Sequence, residues 1–89
     1  MYDRLIHQGP DFQWRLTVSE FHGQEYLHIR KYFLDFEENW VPTKDGFSMP
    51  LDLNNIRELF VGLLEILSLG ESQADIQKYF GALLKDIYV

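Results

Sequence analysis

Three histidines, His7, His22 and His28, are the side chains best suited to bind a metal or move a proton. They are too far apart to pair on one helix face, and the chain has no cysteine to complete a site. No metal site and no cofactor are therefore expected. Ser19 and Ser48 fall inside strand-like segments, and no serine and histidine stand together as nucleophile and base. The six glycines are scattered, which excludes a phosphate-cradling loop, and Glu37-Glu38 reads as a solvated turn. With no catalytic constellation in view, the expectation is a protein that is not an enzyme and that works by binding.

Composition narrows what it could bind. The 89 residues make one domain, and 46% hydrophobic with 16% aromatic content argues against disorder. The net charge is −6 and no part of the chain is net basic, which argues against tight, non-specific binding to nucleic acid or anionic membrane. The absence of cysteine fits a reducing compartment. Met1 to Pro10 carries Asp3, Arg4 and His7 and lacks the apolar run of a secretory signal. The most apolar window, Leu59 to Leu69, is interrupted by Glu65 and falls short of the roughly 20 residues that span a bilayer, so no membrane association is expected.

The elements that must position any binding surface follow from periodicity. Residues 1–13, with Gly9-Pro10, read as an N-terminal arm. Trp14 to Phe21 alternates, with Trp14, Leu16 and Val18 on one side and Arg15, Thr17 and Ser19 on the other, as a half-buried strand does. His22-Gly23-Gln24 is a short turn. Glu25 to Leu34 is a second strand, with Leu27, Ile29 and Phe33 opposed to His28 and Arg30. After the acidic connection Asp35–Asn39, Trp40–Thr43 predicts a third strand, Lys44-Asp45-Gly46 a hairpin turn and Phe47–Met49 a fourth strand. Pro42 belongs at an edge or a bend.

The period then changes. Asp52 or Asn54 can cap a helix in which Ile56, Leu59, Phe60, Leu63, Leu64 and Leu67 recur at three- and four-residue spacing. Gly70 fits the residue after its end. Ser72 with Asp75 opens a second helix, striped by Ile76, Tyr79, Phe80, Leu83, Leu84 and Ile87. Because Val61 and Ile66 lie off the first stripe, that helix is apolar around much of its circumference. One small sheet covers one side; the other needs the second helix, a second copy of the chain, or both. The expected architecture is α+β: a curved four-stranded antiparallel sheet, an amphipathic helix and an extra C-terminal helix. The boundaries are 1–13 (arm), 14–70 (sheet and first helix) and 71–89 (additional helix packed on the domain).

Three blocks carry a family resemblance: Val18-Ser19-Glu20-Phe21-x-Gly23, then Ile29-Arg30-Lys31-Tyr32-Phe33-Leu34-Asp35, then Trp40-x-Pro42-Thr43-Lys44-x-Gly46-Phe47-Ser48-Met49-Pro50-Leu51. With their spacing, they make residues 14–67 resemble the single-stranded-DNA-binding domain of the transcriptional coactivator positive cofactor four. The resemblance implies four antiparallel strands and a helix through which two copies pair, so Ile56, Leu59, Phe60, Leu63, Leu64 and Leu67 would form a homodimer interface. It implies that Phe21 and Phe33 stack on unpaired bases, that Arg30 contacts phosphate or base, and that His22 and Lys44 lie at the same groove. It also implies a nuclear, transcription-associated or genome-maintenance role, with single-stranded DNA and a protein partner in transcription. The helix after Gly70 is not part of the family's usual domain.

Several groove positions depart from the family. The residues flanking Gly23, usually lysine, are His22 and Gln24; the residue before Pro42, often lysine, is Val41; and Asp45 replaces the lysine before Gly46. The plainer readings stand beside these roles. Phe21 and Phe33 suit an ordinary sheet core, Arg30 suits a surface carboxylate, and Arg15 and Lys31 suit solvated positions. Two functions follow: a dimeric single-stranded-DNA-binding module weakened by lost groove cations, or the same fold acting as a protein interaction and dimerisation domain with little DNA binding.

Overall fold

The structure, a computed structural model, describes residues 2–88. The chain divides into two units, Met1–Asn55 and Ile56–Val89. The first holds an antiparallel sheet whose strands lie in sequence order: β1 (Tyr2–Gln8), β2 (Phe12–Phe21), β3 (Gln24–Leu34) and β4 (Trp40–Pro50). Its centre is the β2–β3 hairpin, in regular register from Phe12 opposite Phe33 to Phe21 opposite Gln24. His22 (φ 52°) and Gly23 (φ 81°) close it with two left-handed residues, the turn that matches the right-handed twist of paired strands.

Side chains alternate across this ladder, so directly paired residues share a face. Trp14, Leu16 and Val18 meet Lys31, Ile29 and Leu27 on one face, where Phe47 and Met49 of β4 join them. Leu27 is the most buried apolar residue among the described residues, 5% exposed. Gln13, Arg15, Thr17 and Ser19 meet Tyr32, Arg30, His28 and Tyr26 on the other. The alternation expected for Trp14–Phe21 and Glu25–Leu34 is thus present.

Two expectations need correction. Within the expected N-terminal arm, residues 2–8 form β1, paired with β2 from Tyr2 opposite Val18 to Gln8 opposite Gln13. A register shift between Leu5 and His7 breaks the alternation that would have marked this strand. The expected third and fourth strands, with a hairpin at Lys44-Asp45-Gly46, are instead one strand, β4, lying along β3 from Leu34 opposite Trp40 to Tyr26 opposite Pro50. The Asp-Gly pair is absorbed into an irregularity between Arg30 and Tyr32. Gly46 takes φ 139°, and a side chain there would collide with the carbonyl oxygen of Ile29 and the Cα of Arg30. Thr43 completes the bulge: its hydroxyl donates to the Lys31 carbonyl (2.8 Å) and accepts from the Asp45 N–H (3.1 Å). Pro42 sits on an outer strand, where its missing N–H is harmless.

The second unit follows from the change of period. Asp52, not Asn54, caps α1 (Leu53–Ser68), its carboxylate accepting from the Asn55 N–H at 2.8 Å. Ser72 caps α2 (Gln73–Ile87): its hydroxyl accepts from the Asp75 N–H (3.2 Å) and donates to the Asp75 carboxylate (2.8 Å). Asp75 in the first turn and Lys85 in the last suit the helix dipole. Neither helix has a buried residue. An apolar concavity of about 310 Å³ lies between Phe60, Leu63, Leu64, Ile66, Leu67 and Phe80. No helix among the described residues is long and apolar enough to cross a membrane.

Candidate functional site

The polar face of the sheet carries two hydrogen-bonded networks. In the first, His28 bonds the Ser19 hydroxyl through Nε2 (2.6 Å) and the Ser48 hydroxyl through Nδ1 (2.5 Å), spanning β2, β3 and β4. Arg30 extends it, donating from Nη2 to Ser48 (3.2 Å) and from Nη1 to the Thr43 carbonyl in the bulge (3.1 Å). In the second, Gln13, only 9% exposed, donates to the Gln8 side-chain oxygen (2.6 Å) and accepts from Nε (2.9 Å) and Nη2 (2.6 Å) of Arg15. The Arg15 guanidinium lies 4.7 Å from the centre of the Tyr32 ring and 3.3 Å from the Asp3 carboxylate. No buried side-chain nitrogen or oxygen among the described residues lacks a partner.

A shallow concavity of about 450 Å³ opens on this face. Tyr2, Asp3, Thr17, Ser19, His28, Arg30, Tyr32 and Pro42 contribute to its lining. The arrangement suits a polyanion with flat, apolar attachments: fixed cations and hydroxyls for phosphate, rings for bases. Arg30 matters because it has no carboxylate within ion-pair distance among the described residues, in a chain with 14 acidic side chains. Its donors rest on neutral oxygens, so its charge is not cancelled locally.

The structure brings some of the expected site residues together and separates others. Phe21 ends β2 on the polar side, 64% exposed, with its ring centre 4.1 Å from that of His22. Lys44 is exposed in the β4 bulge, two residues from Gly46, which pairs with Arg30. Phe33, 44% exposed, pairs with Phe12 and Val41 on the apolar side. It also stands at the far end of β3 from Gln24, the partner of Phe21. Nine residues of strand at about 3.3 Å each separate the two positions by roughly 30 Å. Neither phenylalanine is buried.

Sequence reasoning missed Arg15 and His28. Arg15, expected at a solvated position, is the direct cross-strand partner of Arg30, with its side chain only 23% exposed. The signal was its parity with Thr17 and Ser19, but its partner became visible only with the β2–β3 register. Lys31, also expected to be solvated, is half-buried, its ammonium 4.7 Å from the centre of the Phe12 ring. The expected dimer residues all lie on α1: Phe60 (53%) and Leu63 (54%) are exposed, while Ile56, Leu59, Leu64 and Leu67 are partly so.

Comparison with known proteins adds independent findings. A family model described as Transcriptional Coactivator p15 (PC4) matches residues 12–59. A search of curated proteins gives no match. Among solved structures, the chain is similar to a bacteriophage T5 homolog of the eukaryotic transcription coactivator PC4, implicated in recombination-dependent DNA replication. The two are 40% identical with a TM-score of 0.75, covering 93% of this chain and 97% of that one. A PC4 homolog from Burkholderia pseudomallei K96243 shares the fold at 22% identity and a TM-score of 0.62, over 78% of this chain and 88% of that one. A bacteriophage and a bacterium have no nucleus, so the nuclear location implied by the sequence resemblance is withdrawn.

Proposed function

The chain belongs to the Transcriptional Coactivator p15 (PC4) family, and from that premise we propose that it is a dimeric single-stranded-DNA-binding module of genome maintenance. The observation that carries this reading is Arg30: a half-buried cation without a carboxylate partner among the described residues, on a concave polar face that ends in an exposed Phe21. Phe21, with His22 beside it, offers the ring on which an unpaired base stacks; Arg30 and Lys44 take the backbone. Stacking is worth about 1–3 kcal/mol per base and tolerates any sequence, so it supplies much of the affinity where cations are few. The similarity to a phage protein implicated in recombination-dependent DNA replication supports a place in that class of process over transcription alone.

The dimer rests on α1, whose Phe60, Leu63 and Ile66 are each more than half exposed. A second copy of the chain buries these residues against the same patch of its own α1, as a two-fold interface does. Binding is weakened by the acids at the groove, Asp45 above all. The alternative, a protein interaction and dimerisation domain with little DNA binding, is favoured by the net charge of −6. Titration of fluorescent oligo(dT) at low and at physiological salt decides between the two. The module binds at low salt and loses affinity as salt rises, with duplex DNA weaker because its bases cannot reach the rings. No binding of oligo(dT) at low salt moves the assignment to the interaction domain.

A further inference from the structure

We infer that Arg15 and Arg30 together seat one backbone phosphate of an unpaired DNA strand on the polar face of the sheet, Arg30 lining its concavity and Arg15 standing directly across from Arg30 on β2; this deepens the reading above and rests on it. The two arginines are direct cross-strand partners on β2 and β3. Side chains so placed have Cβ atoms about 4.5–5.5 Å apart, and like charges facing each other destabilise a sheet unless an anion lies between or beside them. Asp3 is the one carboxylate that answers either of them among the described residues. It does so at 3.3 Å from Nη1 of Arg15, with its own side chain 55% exposed, which makes it a weak and displaceable partner. Arg30 has none among the described residues.

The seat is held ready. The buried Gln13 oxygen takes two donors of Arg15, Nε and Nη2, and the guanidinium carbon lies over the Tyr32 ring, 4.7 Å from its centre. Arg30 is fixed by Ser48 and by the Thr43 carbonyl. Each guanidinium carries five N–H donors in a rigid fork, and two or three in each are engaged, which leaves donors for the oxygens of a phosphate. Thr17 and His28 line the concavity together with Arg30. The Asp3 carboxylate occupies one edge of Arg15, where a phosphate oxygen would lie, so β1 supplies a competitor that moderates the site.

The test uses the whole chain and fluorescent oligo(dT), with thermal unfolding of each variant as the check on folding. Arg15→Gln lowers affinity about ten-fold and makes the slope of log affinity against log salt shallower by about 0.7, the loss of one phosphate contact on a single strand. Arg15→Lys, which keeps the charge and loses the fork, lowers affinity less and leaves the slope unchanged. Asp3→Asn raises affinity about two- to five-fold, and it reports on the seat even if Arg15→Gln does not fold. Should Phe21→Ala lower affinity while the Arg15 and Asp3 variants match the wild type, the seat is overturned and the DNA-binding reading stands. If the wild-type protein binds no oligo(dT) at low salt, both fall.

Discussion

The sheet unit and the helical unit hold their side chains in place by different means. In the sheet unit, Ser19, His28, Ser48 and Arg30 fix one another across β2, β3 and β4, the buried Gln13 holds Arg15 along β2, and Leu27 and its neighbours close the opposite face. In the helical unit no described residue of α1 or α2 is buried, and the side-chain hydrogen bonds there are local in sequence. Leu69, Ile87 and Tyr88 are each more than two-thirds exposed. A surface organised before its ligand arrives binds without first losing side-chain freedom. Helices whose apolar stripes remain in water gain stability from whatever covers them, because burying a single Leu or Phe contributes about 1.5–3 kcal/mol. One unit therefore has the character of a binding face and the other that of an unfinished core, which is the division of labour the proposed dimer requires.

The strongest way to break that contrast is to charge the helix. Leu63→Asp places a carboxylate where a second copy is proposed to pack. An unpaired buried carboxylate costs several kcal/mol, against a total stability of about 5–15 kcal/mol for a small domain. The variant should be monomeric in light scattering and unfold at much lower denaturant. The wild-type protein should scatter as twice its 10.6 kDa chain mass at tens of micromolar. A wild-type mass of one chain would remove the dimer and leave the exposed stripes unexplained.

Within the sheet the largest local effect is expected at the bulge. Gly46 stands at φ 139°, against the backbone of β3. Gly46→Ala forces a strained conformation at a cost of about 1–3 kcal/mol, in addition to the collision with Ile29 and Arg30. A lowered denaturant midpoint is the expected outcome. Because Arg30 is anchored to Thr43 in the same bulge, affinity for oligo(dT) should fall as well. Unchanged stability and binding would mean that the bulge does not organise the polar face.

What could be read from the sequence divides along the same line. Local signals served well: the stripe from Ile56 onward marks α1, Ser72 and Asp75 mark the start of α2, and His22-Gly23 marks the hairpin turn. β1 was hidden by its own register shift, which breaks the alternation, and by Asp3, Arg4 and His7 among its apolar residues. Asp-Gly is a turn signal in isolation, yet β4 runs through it because β3 continues opposite. The Arg15–Arg30 pair depends on register between two strands, which no single segment displays. The separation of Phe33 from Arg30 was nevertheless legible, since Phe33 shares odd parity with Leu27 and Ile29.

That parity gives a sharper test of the binding face. Phe21 and Phe33 lie roughly 30 Å apart along the hairpin and on opposite sides of the local sheet, so a short strand on the polar face reaches only the first. For an oligonucleotide near the lower end of the roughly 4–16 nucleotides typical of such sites, Phe21→Ala should lower affinity about ten-fold and Phe33→Ala should change it little. For a strand well beyond that length, both substitutions should weaken binding. Equal losses on the shortest strand would place the two rings at one site and contradict the separation seen along β3.

The smallest expected effect is a gain. Asp45 is exposed in the bulge beside Lys44, and its backbone N–H, not its carboxylate, completes the Thr43 hydrogen bonding. Asp45→Lys therefore alters charge while leaving that contact intact. Replacing an anion by a cation changes the local charge by two, at a solvated position where the effective dielectric constant is high and salt screens within about 10 Å. The gain should be a few-fold in oligo(dT) affinity at low salt and fade at physiological salt. If the new lysine reaches a phosphate, the salt slope steepens by about 0.7; if it acts only through the field, the slope changes less. A charge reversal on the helical unit, Glu65→Lys, is the matched control. Asp45→Lys should outperform Glu65→Lys if the sheet face binds the strand, and equal gains from the two variants would reduce the effect to overall charge.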